Sequence, residues 1–202
     1  MTALGRHIAA RITATGPLTL ADYMATCLMH PEMGYYATRD PLGAAGDFTT
    51  APEISQLFGE LVGIYLISAW QAHGSPVNTK LIEGGPGRGT MMADILKTIA
   101  ALAPAMYGGL SVTLMETSPA LRARQKQTLT THAGRLSWIE QLAHAEDGFT
   151  LFVANELFDA LPTRQFVKSG NHFFERVVTL DADGALAFSL SPARLEPASL
   201  PE

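Results

Sequence analysis

A single cysteine, Cys27, stands among 202 residues. That excludes an internal disulfide and any metal site built from several thiolates. The six histidines (His7, His30, His73, His132, His144 and His172) are scattered, with no His-x-x-x-His pair, so no zinc helix is written into the chain. Charge is sparse as well. Fourteen basic and 19 acidic residues leave a formal net charge of −5, without a run of Lys or Arg. Non-specific nucleic-acid binding needs a basic footprint, and none is present. The longest apolar stretch, residues 61–70, is too short to cross a bilayer, so no membrane insertion is expected. No apolar core follows the first basic residues, which argues against a secretory signal. Residues 1–14 carry Arg6 and Arg11 and no acid, a pattern shared by transit peptides and ordinary first helices. A soluble cytoplasmic protein is the default expectation.

What is present is apolar. Hydrophobic residues make up 47% of the chain, enough for a sizeable core, and suit one domain with an appended segment. The turn-forming cluster Gly74-Ser75-Pro76 divides the sequence. Residues 1–76 read as a helical segment with a loop, and residues 77–202 as a strand-helix domain. In the first part, Ile8 and Ile12 lie one turn apart, and Leu20, Met24 and Leu28 repeat at helical spacing behind a capping Thr19. A loop follows from Arg39 to Thr50, long for a compact domain and therefore a candidate functional loop. A longer helix is expected over 52–72, with Phe58, Leu61, Val62, Tyr65, Leu66 and Ala69 as its buried stripe.

The second part alternates. Strands are expected at 80–83, 110–115, 136–139 and 151–154, with helices at 90–102 and 119–129, the latter opened by Pro119. Such alternation implies a parallel sheet. After Pro162 two hairpins are expected. Residues 164–168 and 172–179 join through Ser169-Gly170-Asn171, and residues 177–180 and 185–190 flank Asp181-Ala182-Asp183-Gly184.

Between the first expected strand and helix lies Glu83-Gly84-Gly85-Pro86-Gly87-Arg88-Gly89-Thr90. Glycines at alternate positions permit a tight turn and a close approach of ligand to backbone. The amides at the helix start favour an electron-rich group. A dinucleotide fingerprint counted from Gly85 would need glycine where Thr90 stands, and a P-loop would need lysine there. Both rivals fail on a residue that carries their chemistry. The remaining acidic-x-Gly-x-Gly-x-Gly pattern resembles the first motif of Rossmann-like methyltransferases. That resemblance implies S-adenosylmethionine and makes Glu83, Gly85, Gly87, Gly89 and Thr90 the candidate cofactor contacts. Glu116, at the end of the next strand, is placed to accept both hydroxyls of a ribose, a role shared with dinucleotide folds. A structural turn in some other α/β protein is the competing explanation.

Asn155-Glu156-Leu157-Phe158-Asp159-Ala160-Leu161-Pro162 follows the fourth strand. Ligands bind beyond the carboxyl ends of parallel strands, which puts Asn155 and Glu156 near the reactive end of a cofactor. A carboxylate such as Glu156 can hold a guanidinium by paired hydrogen bonds, with Asp159 assisting. A capped helix start, with Asn155 as the cap, explains the same residues.

Three segments together resemble the MidA family of methyltransferases. They are Gly46-Asp47-Phe48-Thr49-Thr50-Ala51-Pro52-Glu53-Ile54-Ser55-Gln56-Leu57-Phe58-Gly59, the glycine loop running on to Asp94, and the segment that begins at Asn155. The resemblance implies a Rossmann-like class I fold that binds S-adenosylmethionine, with Phe48 and Thr49 lying over cofactor or substrate. It also implies a protein substrate. Mitochondrial members are protein-arginine methyltransferases that assist assembly of respiratory complex I, one of whose subunits they modify, in the mitochondrial matrix. A homodimer is an assembly this allows. Family members are longer and complete the sheet with a C-terminal portion, so the chain reads as truncated relative to them. Two alternatives remain at this point: a non-catalytic S-adenosylmethionine-binding assembly factor or fragment, and a nicotinamide-dependent oxidoreductase on the same fold.

Overall fold

Threonine hydroxyls start the first two helices. In this computed structural model, which describes residues 1–38, 50–142 and 148–195, α1 (Ala3–Thr15) begins where Thr2 accepts a hydrogen bond from the Gly5 amide. Strand β1 (Leu18–Thr19) leads into α2 (Leu20–Met29), where Thr19 accepts from the Asp22 amide. Each cap satisfies a helix N–H that has no partner within the helix. In chain order there follow α3 (Tyr35–Thr38), α4 (Ala51–Ile54), α5 (Gln56–Ala72), β2 (Thr79–Gly84), α6 (Thr90–Leu102) and α7 (Pro104–Gly108). Next come β3 (Leu110–Met115), α8 (Pro119–Thr128), β4 (Leu136–Ile139), β5 (Phe149–Ala154), β6 (Phe166–Ser169), β7 (His172–Leu180) and β8 (Leu186–Leu195). The expected Rossmann-like α/β class, with a parallel sheet, N-terminal helices and C-terminal antiparallel strands, is the one observed.

The chain forms two compact units, Met1–Asp40 with Phe158–Glu202, and Pro41–Leu157. This division does not fall at Gly74-Ser75-Pro76, the boundary the composition suggested. In the first unit β1 pairs antiparallel with β7, Leu18 opposite Val178. Ile8, Ile12, Leu18 and Val178 make its buried core, so residues from both ends of the sequence share one apolar cluster. The two expected hairpins are present. Ser169 pairs with His172 across Gly170, which lies at φ 61. Leu180 pairs with Leu186 across a turn in which Asp181 Oδ1 accepts from the amides of Asp183 and Ala185. Strand β8 runs on to Leu195, beyond the expected end at Leu190.

In the second unit β4, β3, β2 and β5 lie in that order, all parallel. Their core is built with α5 and α6: Leu66, Trp70, Leu81, Ile95, Ile99, Val112 and Leu114 are among its buried members. The expected helix 52–72 is two helices. Ser55 is extended, at φ −149 and ψ 123, and its hydroxyl caps the Leu57 amide. The buried stripe also differs from expectation. Leu61 and Tyr65 are 56% and 72% exposed, while Gly59, Gly63, Leu66, Ile67 and Trp70 face inward. The cause is a close helix crossing. A Cβ on Gly59 would lie 2.6 Å from Asp94 Cβ, and one on Gly63 3.0 Å from Thr98 Cβ. The two glycines draw α5 against α6, and that rotates the larger Leu61 and Tyr65 outward. No helix among the described residues is long and apolar enough to cross a membrane.

Candidate functional site

Parallel pairing in register brings three strand ends to one level. Gly84 lies opposite both Met115 and Ala154. The next residues of β2, β3 and β5 are therefore Gly85, Glu116 and Asn155, three of the residues singled out from sequence. A cleft of about 400 Å³, open space included, lies at this edge. Glu83, Gly85, Gly87, Thr90 and Asn155 line it, together with Thr50, Pro52, Glu53, Pro86, Arg88 and Met91. That is the position at which open parallel sheets take ligands.

The loop itself depends on its glycines. Gly85, Gly87 and Gly89 lie at φ 63, 53 and 82, in the left-handed region that a Cβ disfavours. A Cβ on Gly85 would meet Leu157 Cδ1 at 2.9 Å. Gly89 is the N-cap of α6 and supplies no side chain, so the amides of the first turn are left for a ligand. Thr90, the first helical residue, donates its hydroxyl hydrogen to Glu53 Oε1 at 2.7 Å, and Arg88 Nη1 lies 4.0 Å from Glu53 Oε2.

Glu83 is 2% exposed, and its Oε2 is buried without a hydrogen-bond partner among the described residues. Loss of water pushes its pKa up from 4.5 to about 8. A buried acceptor beside a glycine cradle suits a ligand that brings positive charge and needs close approach to the backbone. S-adenosylmethionine has both properties, in its sulfonium and ammonium groups, and the residues present fit it.

Glu116 does not line the cleft but is tied to it. Its Oε1 accepts from the Ser118 amide at 2.8 Å, and its Oε2 accepts from Gln125 Nε2 at 3.3 Å. Gln125 Nε2 also donates to the Gly87 carbonyl at 2.8 Å, and Gln125 Oε1 accepts from Trp138 Nε1 at 2.8 Å. Gly89 likewise stands outside the lining residues, as the cap just described.

The acidic segment after β5 is not the capped helix that competed for it. Asn155 leaves the strand into the cleft wall, and Glu156 then turns the chain at φ 53, a left-handed conformation costly for a side chain with a Cβ. The turn sets Leu157 against the loop, its Cδ atoms 2.9 Å from where Cβ atoms on Gly84 and Gly85 would be. Glu156 is exposed and not among the residues lining the cleft. Asp159 belongs to the other unit, in a single 3-10 turn, Phe158–Ala160. There it raises the Tyr36 hydroxyl pKa, second to burial as the cause. Phe48 and Thr49 lie outside the described residues.

Sequence reasoning missed Glu53 and Gln125 as site residues. Glu53 sat in a familiar segment without a role. Gln125 had a legible signal: Leu121, Gln125 and Leu129 follow one another at helical spacing, so a polar residue occupies an apolar stripe.

Comparison with known proteins bears on the family and the cofactor. Residues 61–201 match the model of a family described as "Putative S-adenosyl-L-methionine-dependent methyltransferase". The chain is 38% identical to "Protein arginine methyltransferase NDUFAF7, mitochondrial" of Danio rerio, over 92% of this chain and 49% of that protein. The human protein of the same name is also 38% identical, over 96% of this chain and 49% of its own. A Burkholderia thailandensis protein solved with S-adenosyl-homocysteine bound superposes with a TM-score of 0.75 at 31% identity, over 95% of this chain and 50% of that one. The chain thus spans about half the length of the relatives it matches. With the family model covering well over half of its residues, the chain belongs to this family of S-adenosyl-L-methionine-dependent methyltransferases.

Proposed function

We propose that this chain binds S-adenosylmethionine in the cleft at the ends of β2 and β5 and transfers its methyl group to an arginine of a protein substrate. The observation that carries the reading is the buried, unpartnered Glu83 oxygen beside the left-handed glycine loop. Gly85, Gly87 and the amides that follow Gly89 are proposed to take the amino-acid end of the cofactor, with Thr90 and Asn155 in the same wall. Glu116 is proposed to take the ribose hydroxyls, and Phe48 and Thr49 to cover the site. A dinucleotide is disfavoured: its pyrophosphate would face the Glu53 carboxylate, which lines the cleft.

When bound, the cofactor supplies an electrophilic methyl group on a positively charged sulfur. The chain has to align a guanidinium nitrogen in line with it and help a proton leave that nitrogen. Glu156 is proposed to hold the guanidinium through charge-assisted hydrogen bonds, and Asp159 to assist on sequence position alone. Support for an arginine acceptor comes from the names of the mitochondrial relatives. A respiratory complex I subunit as substrate, a homodimer, and a place in the mitochondrial matrix or the bacterial cytoplasm are the finer parts of the same reading.

Incubation with S-adenosylmethionine carrying a labelled methyl group, then mass spectrometry of a respiratory-chain protein extract, tests the proposal. Label on arginine is expected, falling at least about tenfold in Glu156→Gln, which keeps the backbone and removes the charge. Label on lysine or carboxylates instead would overturn the arginine reading. Cofactor binding without any transfer would favour the non-catalytic assembly factor, a reading that the half-length match keeps in play.

A further inference from the structure

The side chain of Gln125 is wholly buried (0% exposed), although a leucine would suit its place between Leu121 and Leu129 on α8. Burying an amide is costly unless its polar atoms are paired. Here each is. The carbonyl oxygen accepts from Trp138 Nε1, and the NH2 group donates to the Gly87 carbonyl and to Glu116 Oε2. These three contacts fix which way the amide points. An indole N–H can only donate, so it must face the amide oxygen. The NH2 group then faces a backbone carbonyl and a carboxylate, both of which accept. A flipped amide would set oxygen against those two acceptors and NH2 against the indole N–H.

We propose that Gln125, oriented by Trp138, is a positioning residue that sets the Glu116 carboxylate for the ribose hydroxyls and locks the glycine loop at Gly87 to the same point. The proposal rests on the S-adenosylmethionine reading above. Glu116 reaches the ligand through whichever lone pairs remain after Ser118 and Gln125 have taken theirs. With donors on both oxygens the carboxylate is held in one rotation, and the preference for a hydroxylated sugar follows from that. Neither residue is proposed to touch the reacting atoms.

The test compares calorimetric affinities for S-adenosyl-homocysteine and its 2′-deoxy analogue in the wild type, Gln125→Glu and Trp138→Phe. The wild type is expected to prefer the hydroxylated ligand by about tenfold, the worth of one hydrogen bond to a charged group. In Gln125→Glu an acceptor faces Glu116 and Gly87, and the preference should shrink to about twofold or less. Trp138→Phe keeps Gln125 but leaves its amide oxygen without a donor, so the amide is held less firmly and the preference should fall part of the way. It serves alone if Gln125→Glu does not fold. A role confined to packing would weaken both ligands equally, and an unchanged tenfold preference in either folded variant would overturn the proposal. Absence of binding to either ligand by the wild type is a different result, and it would overturn the cofactor reading itself.

Discussion

Glu83 concentrates the chemistry of the site in one side chain. Its carboxyl is held well above the ordinary carboxylate range because burial penalises the charged form. The folded state therefore holds a proton that the unfolded chain releases near pH 4.5. The stabilising contribution of that proton is complete below about 4.5 and is lost as pH rises through about 8. Over that window stability should drop by up to about 1.4 kcal/mol per pH unit from this group alone. Glu83→Gln keeps the shape and removes the titration. Its melting temperature should exceed that of the wild type by more at pH 8.5 than at pH 5.5, while its affinity for S-adenosylmethionine falls. A constant difference between the two pH values would contradict the burial account. Sequence showed Glu83 as the acid before the glycines, and the strand around it. It could not show the missing partner, because a hydrogen bond that is not made depends on every neighbour.

At the scale of elements, alternating patterns were legible where burial follows a local period. Strands β2 to β5 and helices α6 and α8 fall close to their expected spans. Helix α5 was misread because its tightest contacts come from residues that carry no apolar side chain. Gly59 and Gly63 count as gaps in a hydrophobic stripe, yet they are the points of closest approach to α6. Gly59→Ala gains helix propensity of about 1 kcal/mol but presses its new methyl onto Asp94 Cβ and the Met91 carbonyl, so a net loss of roughly 1–3 kcal/mol is expected in denaturant unfolding. Gly108→Ala, where a Cβ would have nothing within 4 Å, should be neutral or slightly stabilising. Equal effects at the two positions would contradict the close crossing. The turn after β5 is a comparable case. A capped helix start competes with a functional role for Asn155 and Glu156 in sequence, and only the left-handed backbone at Glu156 reveals a sharp turn.

For the whole molecule, fold class was legible and the division into units was not. Strand-helix alternation implies a parallel sheet from local pattern alone. The joining of Met1–Asp40 with Phe158–Glu202 depends on Leu18 meeting Val178, a pairing across most of the chain that leaves no local trace. The ends of β2, β3 and β5 were legible one at a time, and the register of the sheet turned them into a site. What that site binds is the central claim, and parallel calorimetric titrations with S-adenosylmethionine, S-adenosyl-homocysteine and NAD test it most directly. Saturable binding of both adenosyl-sulfur ligands, none of NAD, and loss of binding in Gly85→Val, whose branched side chain is strained at φ 63 and would press on Leu157, are expected. Binding of NAD without the sulfur ligands, or unchanged affinity in Gly85→Val, would contradict it.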